Sequence, residues 1–157
     1  MTRLSVVADA GPLIALAQIG LLEAFGGLFQ SCLIPPMGAR EIAPSVQRPP
    51  WIVVRPLGAP IDEQVLLANL DPGETEVLAL ASEIADHGVL VDDLSARRFA
   101  DAIGLPMIGT VGLVLFAKEQ GVLPTVRPSL DALLAAGFYV SHAVIEQALQ
   151  RAGETQG

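Results

Sequence analysis

The sequence predicts an α/β fold built on a buried, mainly parallel sheet. Three observations carry that expectation. Short β-branched runs alternate with longer stretches of helical spacing along the chain, the signature of βαβ units. Hydrophobic residues make up 52% of the 157 residues and aromatics only 4%, so the core must come from Leu, Ile, Val and Ala, as in sheets covered on both faces. Only 17% of residues are charged, which leaves ample apolar surface to bury and gives no sign of disorder. A β-sandwich is disfavoured. At this length one domain is expected over 1–157, with 152–157 a polar end that frays.

The elements follow from period and punctuation. Leu4 to Ala8 reads as a first buried strand that stops at Asp9-Ala10-Gly11-Pro12, after which Leu13, Ile14, Leu16, Ala17, Leu21 and Leu22 carry helical spacing. Leu33 and Ile34 form a second short strand, stopped by Pro35-Pro36 and followed by a brief helix from Gly38 to Ile42. Trp51 to Val54 is a strand between prolines, and Asp62 to Leu70 is helical. Asp71-Pro72-Gly73-Glu74 opens a helix that runs to His87-Gly88, ahead of the strand Val89-Leu90-Val91. Ser95 to Ile103 is helix, Pro106 to Ile108 strand and Val111 to Gln120 helix, and two more helices cover Leu130 to Ala135 and Ser141 to Gln150. Nowhere do about 18 apolar residues run unbroken, so no membrane span is expected.

Charge narrows the function. Nine Lys and Arg stand against 17 Asp and Glu, a net −8, which argues against holding nucleic acid on a broad basic face. The single cysteine, Cys32, sits in an apolar run and reads as a buried thiol; with no disulfide available, the cytoplasm is the expected compartment.

Acidic residues stand where strands stop or helices start: Asp9, Glu74, Asp92 and Asp93. In a parallel sheet ligands collect outside the carboxyl ends of strands. If the strands before Asp9 and Asp92 are neighbours, their carboxylates meet at one edge, and Glu41 in Arg40-Glu41-Ile42 can reach it from its short helix. Such crowding is costly without a cation, and hard Mg²⁺ or Mn²⁺ with oxygen ligands relieves it. His87 and His142 have no partners at metal spacing, so zinc is not expected. Each acid also has a plainer reading. Asp9 and Asp93 suit helix caps, and Asp71 to Glu74 resembles a capping box. Yet at about 100° per residue Glu74 shares the inward stripe of Leu78, Ala81 and Ala85, whereas Glu76 falls on the opposite, solvated face. Thr110, after Gly109 at a strand end, suits a helix N-cap and is equally placed to orient a neighbouring acid.

Taken in order, five segments resemble a known family: Val7-Ala8-Asp9-Ala10-Gly11-Pro12-Leu13-Ile14, Ile34-Pro35-Pro36 with Arg40-Glu41-Ile42, Gly73-Glu74-Thr75-Glu76-Val77-Leu78, Val91-Asp92-Asp93-Leu94-Ser95-Ala96-Arg97, and Gly109-Thr110-Val111-Gly112. Together they are similar to PIN domains, in the small prokaryotic subgroup related to VapC-type toxins. The resemblance implies a three-layer α/β/α build and a Mg²⁺- or Mn²⁺-dependent ribonuclease, with Asp9, Glu74, Asp92 and Asp93 toward the metal and Glu41 and Thr110 completing the catalytic set. It further implies an RNA substrate and the toxin half of a toxin–antitoxin pair. A doubled acid at Glu74/Glu76 and at Asp92/Asp93 leaves the ligand in each pair open. Arg40, Arg97 and Arg98 are close in sequence to these acids and suit phosphate contacts, while Lys118 reads as ordinary surface.

Two other readings stand beside this one. A non-catalytic PIN-like binding or scaffold protein would use the acids for a structural ion. A phosphoryl-accepting receiver-like domain lacks the strand-end lysine it needs, since Lys118 is on a helix. The C-terminal helices carry apolar surface that suits either an antitoxin segment or a second copy of the chain.

Overall fold

The computed structural model describes residues 2–155. Its elements are β1 (Leu4–Ala8), α1 (Ala10–Gln18), β2 (Phe29–Ile34), α2 (Pro36–Ile42), β3 (Ile52–Val54), α3 (Glu63–Leu67), α4 (Pro72–Glu83), β4 (Gly88–Leu90), α5 (Leu94–Ala102), β5 (Met107–Ile108), α6 (Thr110–Glu119), α7 (Arg127–Ala135) and α8 (His142–Arg151), with a 3₁₀ turn over Ala24–Leu28. The strands form one parallel sheet in the order β3-β2-β1-β4-β5.

The pleat explains the three layers. Side chains alternate across each strand, so Val6, Ala8, Cys32, Ile34 and Leu90 face one side, against Leu13 and Leu16 of α1, Leu113 of α6, Leu130 of α7 and Leu149 of α8. Val7, Leu33, Val89 and Val91 face the other, against Val65 of α3, Val77, Leu78 and Leu80 of α4, and Ala96 and Ala100 of α5. Burial of each Val, Leu or Ile stabilises the fold by about 1.5–3 kcal/mol relative to exposure. The expected α/β/α sandwich is therefore observed. Burial drives the Cys32 thiol up to about 12, so it is an inert core residue. Among the described residues no helix is long and apolar enough to cross a membrane.

Boundaries differ where local chemistry overrides the apolar pattern. The second strand begins at Phe29, four residues before Leu33, because Phe29 and Ser31 pair with Leu4 and Ser5 although Gln30 and Ser31 interrupt the apolar run. The first helix stops at Gln18, ahead of Gly20 at φ +74°, so Leu21 and Leu22 pack from a turn. The helix opened by Asp71 stops at Glu83, and Asp86 takes φ +62° to turn the chain into β4.

The polar C-terminal end is tied down as far as it is described; Gln156 and Gly157 lie outside the described residues. Glu154 accepts hydrogen bonds from the backbone N–H groups of Val126 and Arg127 and pairs with the Lys118 ammonium at 2.8 Å. Lys118 also donates to the Ala152 carbonyl, so it is a tether between α6 and the chain end rather than free surface. Burial works against the Glu154 charge, but the Lys118 and backbone donors outweigh it and hold the carboxyl below its ordinary range. A carboxyl depressed in the folded state stabilises above its unfolded pKa and loses that contribution as pH falls through the folded value. Glu154→Ala is therefore expected to lower the melting temperature at pH 7 and to speed amide hydrogen exchange at Val126 and Arg127. The melting difference from the wild type should shrink in acid; equal melting of the two proteins at pH 7 would refute the tether.

Candidate functional site

The sheet reverses direction of growth between β1 and β4, with β2 and β3 on one side and β5 on the other. This is the position where ligands bind in open parallel sheets. Because Ala8 lies beside Leu90, and the Asp9 N–H donates to the Leu90 carbonyl at 2.9 Å, the residues that follow both strands emerge together. Asp9 and Asp92 are those residues. The N-termini of α1, α4 and α6 open at the same end, and their unpaired N–H groups favour negative charge there.

The acids at helix starts fall into two kinds. Asp71 accepts from the Glu74 N–H at 2.7 Å and Asp93 from the Ala96 N–H at 3.0 Å, each capping its helix. Asp9 occupies the N-cap position of α1, yet its carboxylate makes no capping bond. Asp92 caps no helix of its own strand exit; it reaches across to α6. Its Oδ1 accepts from the Thr110 N–H at 2.7 Å and its Oδ2 from the Thr110 hydroxyl at 2.6 Å. Thr110 is thus not the N-cap, which is Gly109, but the buried residue that fixes the Asp92 carboxylate. Glycine is needed at 109, since a Cβ there would stand 2.8 Å from Asp92 Oδ1 and 3.3 Å from Arg97 Nη1.

Gly73 marks the centre of the cluster. A Cβ on this buried residue would lie 3.1 Å from Glu41 Oε1, 3.4 Å from Asp71 Oδ1 and 3.8 Å from Asp9 Oδ1. Three carboxylates from three separate segments therefore border one small space beside Gly73. Glu74 follows directly and, as its stripe on α4 required, is buried, with 7% of its surface exposed.

Burial first, then the charges of Asp71, Glu41 and Asp92, raise the Asp9 carboxyl to about 6; the nearby Ala10 N–H offsets this only in part. Burial and the charges of Asp71, Asp93 and Asp9 raise Glu74 to about 7 against the opposing Asp71 contact. Asp93 thus contributes charge to the cluster while its own oxygen caps α5.

The structure brings Asp9, Glu41, Glu74, Asp92, Asp93 and Thr110 to one end of the sheet. It adds Asp71, which sequence reasoning assigned to capping alone. The signal for it was present, since a cap residue three before an inward Glu must share that residue's end of the helix. Glu76 is half-buried rather than free in solvent: its Oε1 accepts from the Met37 N–H at 3.0 Å, holding the start of α2 and hence Glu41. Arg97 is half-buried beside Asp92, whereas Arg40 and Arg98 are exposed.

The donors are all oxygen. His87 is held by the Ser31 hydroxyl and the Ala85 carbonyl, His142 pairs with Glu146 on α8, and Cys32 is in the core. Among the described residues no three His, Cys, Asp or Glu side chains form a closed chelating set. The carboxylates instead line a shared opening, of a chemistry that fits a hard divalent cation and not zinc.

Fold and cluster together define an α/β/α domain with an acid-lined site at its strand switch point. The DUF3368 family model, a PIN domain, matches residues 5–154, and the chain belongs to that family. No curated protein matches it. PIN is a nuclease fold, which makes nucleic acid the substrate class.

The raised carboxyls carry a stability consequence. A group whose folded pKa exceeds its unfolded value binds protons more tightly when folded, so stability falls as pH rises between the two values. For Asp9 and Glu74 that window runs from about 4 to about 7. The metal-free protein is expected to melt higher at pH 5 than at pH 8, by roughly 2–4 °C per kcal/mol recovered. Glu74→Gln should raise the pH 8 melting temperature and flatten the dependence; a metal-free protein most stable at pH 8 would contradict the cluster's electrostatics.

Proposed function

We propose that this PIN domain is a metal-dependent endoribonuclease that hydrolyses RNA phosphodiester bonds with Mg²⁺ or Mn²⁺, and that it is the cytoplasmic toxin of a VapC-like toxin–antitoxin pair. The observation that carries the reading is the space at Gly73, bordered by Glu41, Asp71 and Asp9 next to a buried Glu74. Asp9, Glu74 and Asp92 would hold the cation, with Glu41 and Asp93 alongside. Such an ion, when bound, activates water and offsets charge that develops on the phosphate.

The chain's own contributions follow from its contacts. Thr110 keeps both Asp92 oxygens in a fixed orientation, so this ligand does not have to be ordered when the cation arrives. Glu76 fixes the start of α2 and with it the approach of Glu41. Asp9 and Glu74 must give up their protons for a cation to bind, so affinity rises with pH through about 6 and 7. Arg97, which approaches Gly109 alongside Asp92, would contact the scissile strand's phosphates. Support for the toxin role comes from the family resemblance and from the apolar side chain of Leu134 on α7, 44% exposed and outside the groove lining, which offers a protein partner somewhere to pack.

Asp9→Asn is expected to abolish Mn²⁺-dependent RNA cleavage with an unchanged circular dichroism spectrum, and to relieve growth arrest on expression. Full residual cleavage rejects the assignment. A rise in melting temperature with Mn²⁺ but no cleavage by the wild type favours the non-catalytic scaffold instead. Gly73→Ala separates site from fold: alanine is the better helix former by about 1 kcal/mol, so the variant should fold at least as well. Its Cβ would nonetheless displace Glu41 Oε1 by a few tenths of an ångström, and cleavage is expected to fall, by less than the roughly 10²-fold of a full 1 Å misplacement. Unimpaired cleavage by the variant would show that the opening at Gly73 is not the site.

A further inference from the structure

A groove of about 670 Å³ begins at the acid cluster and runs away from it, along α6 and the segment joining α7 to α8. Asp92 and Arg97 line its near end, where Arg97 Nη1 and Asp92 Oδ1 both approach Gly109. Phe116, Phe138, Tyr139 and Arg151 line the rest. Its size falls within the range of about 300–1,000 Å³ typical of sites for small organic ligands.

Tyr139 is the anomaly in this groove. It is the only tyrosine of the chain, and 95% of its surface is exposed. The residues around it are anchored: Phe138 packs on the core cluster, and Ser141 caps α8 by accepting from the Val144 N–H. The ring is thus displayed in water on a fixed base, without packing of its own. An aromatic held this way offers a stacking platform for any nucleobase, because every base has a π-face.

The charges agree with an anionic occupant. Outside Asp92, the acid lining the groove is Glu119, set against Arg97 and Arg151. Among the described residues neither arginine is in a salt bridge. Counting Asp92, the groove's two acids and two arginines balance, so in a chain of net −8 this is a locally neutral stretch with two unpaired guanidiniums that adjoins the acid cluster.

We infer that this groove is a nucleotide subsite for single-stranded RNA extending from the cleaved bond, with Tyr139 stacking on a base and Arg97 and Arg151 meeting backbone phosphates. The inference rests on the nuclease reading, since it takes the strand to run out of the cluster. Contacts of this kind bind single strands with little sequence preference and with strong salt dependence.

A single tyrosine makes the test direct. In protein labelled with fluorotyrosine, fluorine NMR reads Tyr139 alone. Titration of the labelled Asp9→Asn protein, expected not to cut the strand, with a short oligoribonucleotide of mixed sequence in Mg²⁺ should shift that resonance saturably. Tyr139→Ala should weaken oligonucleotide affinity by roughly 5- to 100-fold without lowering the melting temperature, because the ring packs on nothing. Arg151→Ala should reduce the slope of log affinity against log salt by about one. An unmoved resonance at saturating oligonucleotide overturns the inference. So does a resonance that moves with protein concentration instead, which would make the groove a contact between copies of the chain. Hydrolysis of a small phosphodiester by the wild type tests the nuclease reading separately, so failure of one is not mistaken for failure of the other.

Discussion

The parallel pairing of β1 with β4 is the contact on which the molecule's chemistry depends. These strands are separated by β2, β3 and four helices in sequence, yet they lie side by side, with Val6, Val7 and Ala8 registered on Gly88, Val89 and Leu90. Closing so long a loop is entropically costly and must be offset by burial. The sequence supplies this by making both strands apolar on both faces, so that β1 and β4 are stable only in the middle of the sheet. Once they are central and adjacent, Asp9 and Asp92 have no choice of neighbourhood. A one-residue slip in register would turn each side chain to the other face and separate them.

That forced proximity sets up a conflict between stability and function. Carboxylates from β1, α2, α4 and β4 crowd an end of the sheet, and two of them respond by shifting toward the protonated form. The fold tempers the repulsion in ways visible on the page. Helix N-termini face the cluster, Asp71 and Asp93 engage backbone N–H groups, and Thr110 donates twice to Asp92. Among the described residues Asp9 and Glu74, the two whose carboxyls are pushed up, have no capping or side-chain donor of their own, and Glu41 at the mouth of the space accepts no hydrogen bond either. Strain that concentrates on particular residues, when the same chain satisfies the similar acids next to them, marks groups kept for a ligand.

Much of this was legible from residue order alone. The alternation of strand and helix patterns yielded the layers, the strand-end acids indicated the site, and helical phase separated Glu74 from Glu76. Helical phase also misled: it sent Glu76 to solvent, because it describes one helix and carries no information about α2 docking against it. Asp71 was hidden for a related reason. Its capping role explained it completely, although a carboxylate has two oxygens and enough lone pairs to cap a helix and border a site at once. Thr110 was legible both as a cap and as a residue that orients an acid, and only the second role is observed, on an Asp92 that follows another strand. Lys118 and Glu154 looked like surface, and only the folded chain brings the ends of α6 and α8 together.

The net charge also acquires a physical meaning once the positions are known. A chain at −8 repels a polyanion at long range, but at physiological salt that field decays over about 8 Å. Beyond this distance only the overall sign is felt, and it disfavours loose, sequence-independent adsorption to nucleic acid. Within it, the particular charges next to a strand decide, and here Arg97 stands against Asp92 while Lys118 and Arg127 are occupied with the chain end. An acidic exterior with few cations, one of which, Arg97, is set beside the acid cluster, therefore favours engagement at the site over engagement anywhere else. For a protein of a nuclease fold, the surplus of acid is then a source of selectivity and not an argument against nucleic acid as substrate.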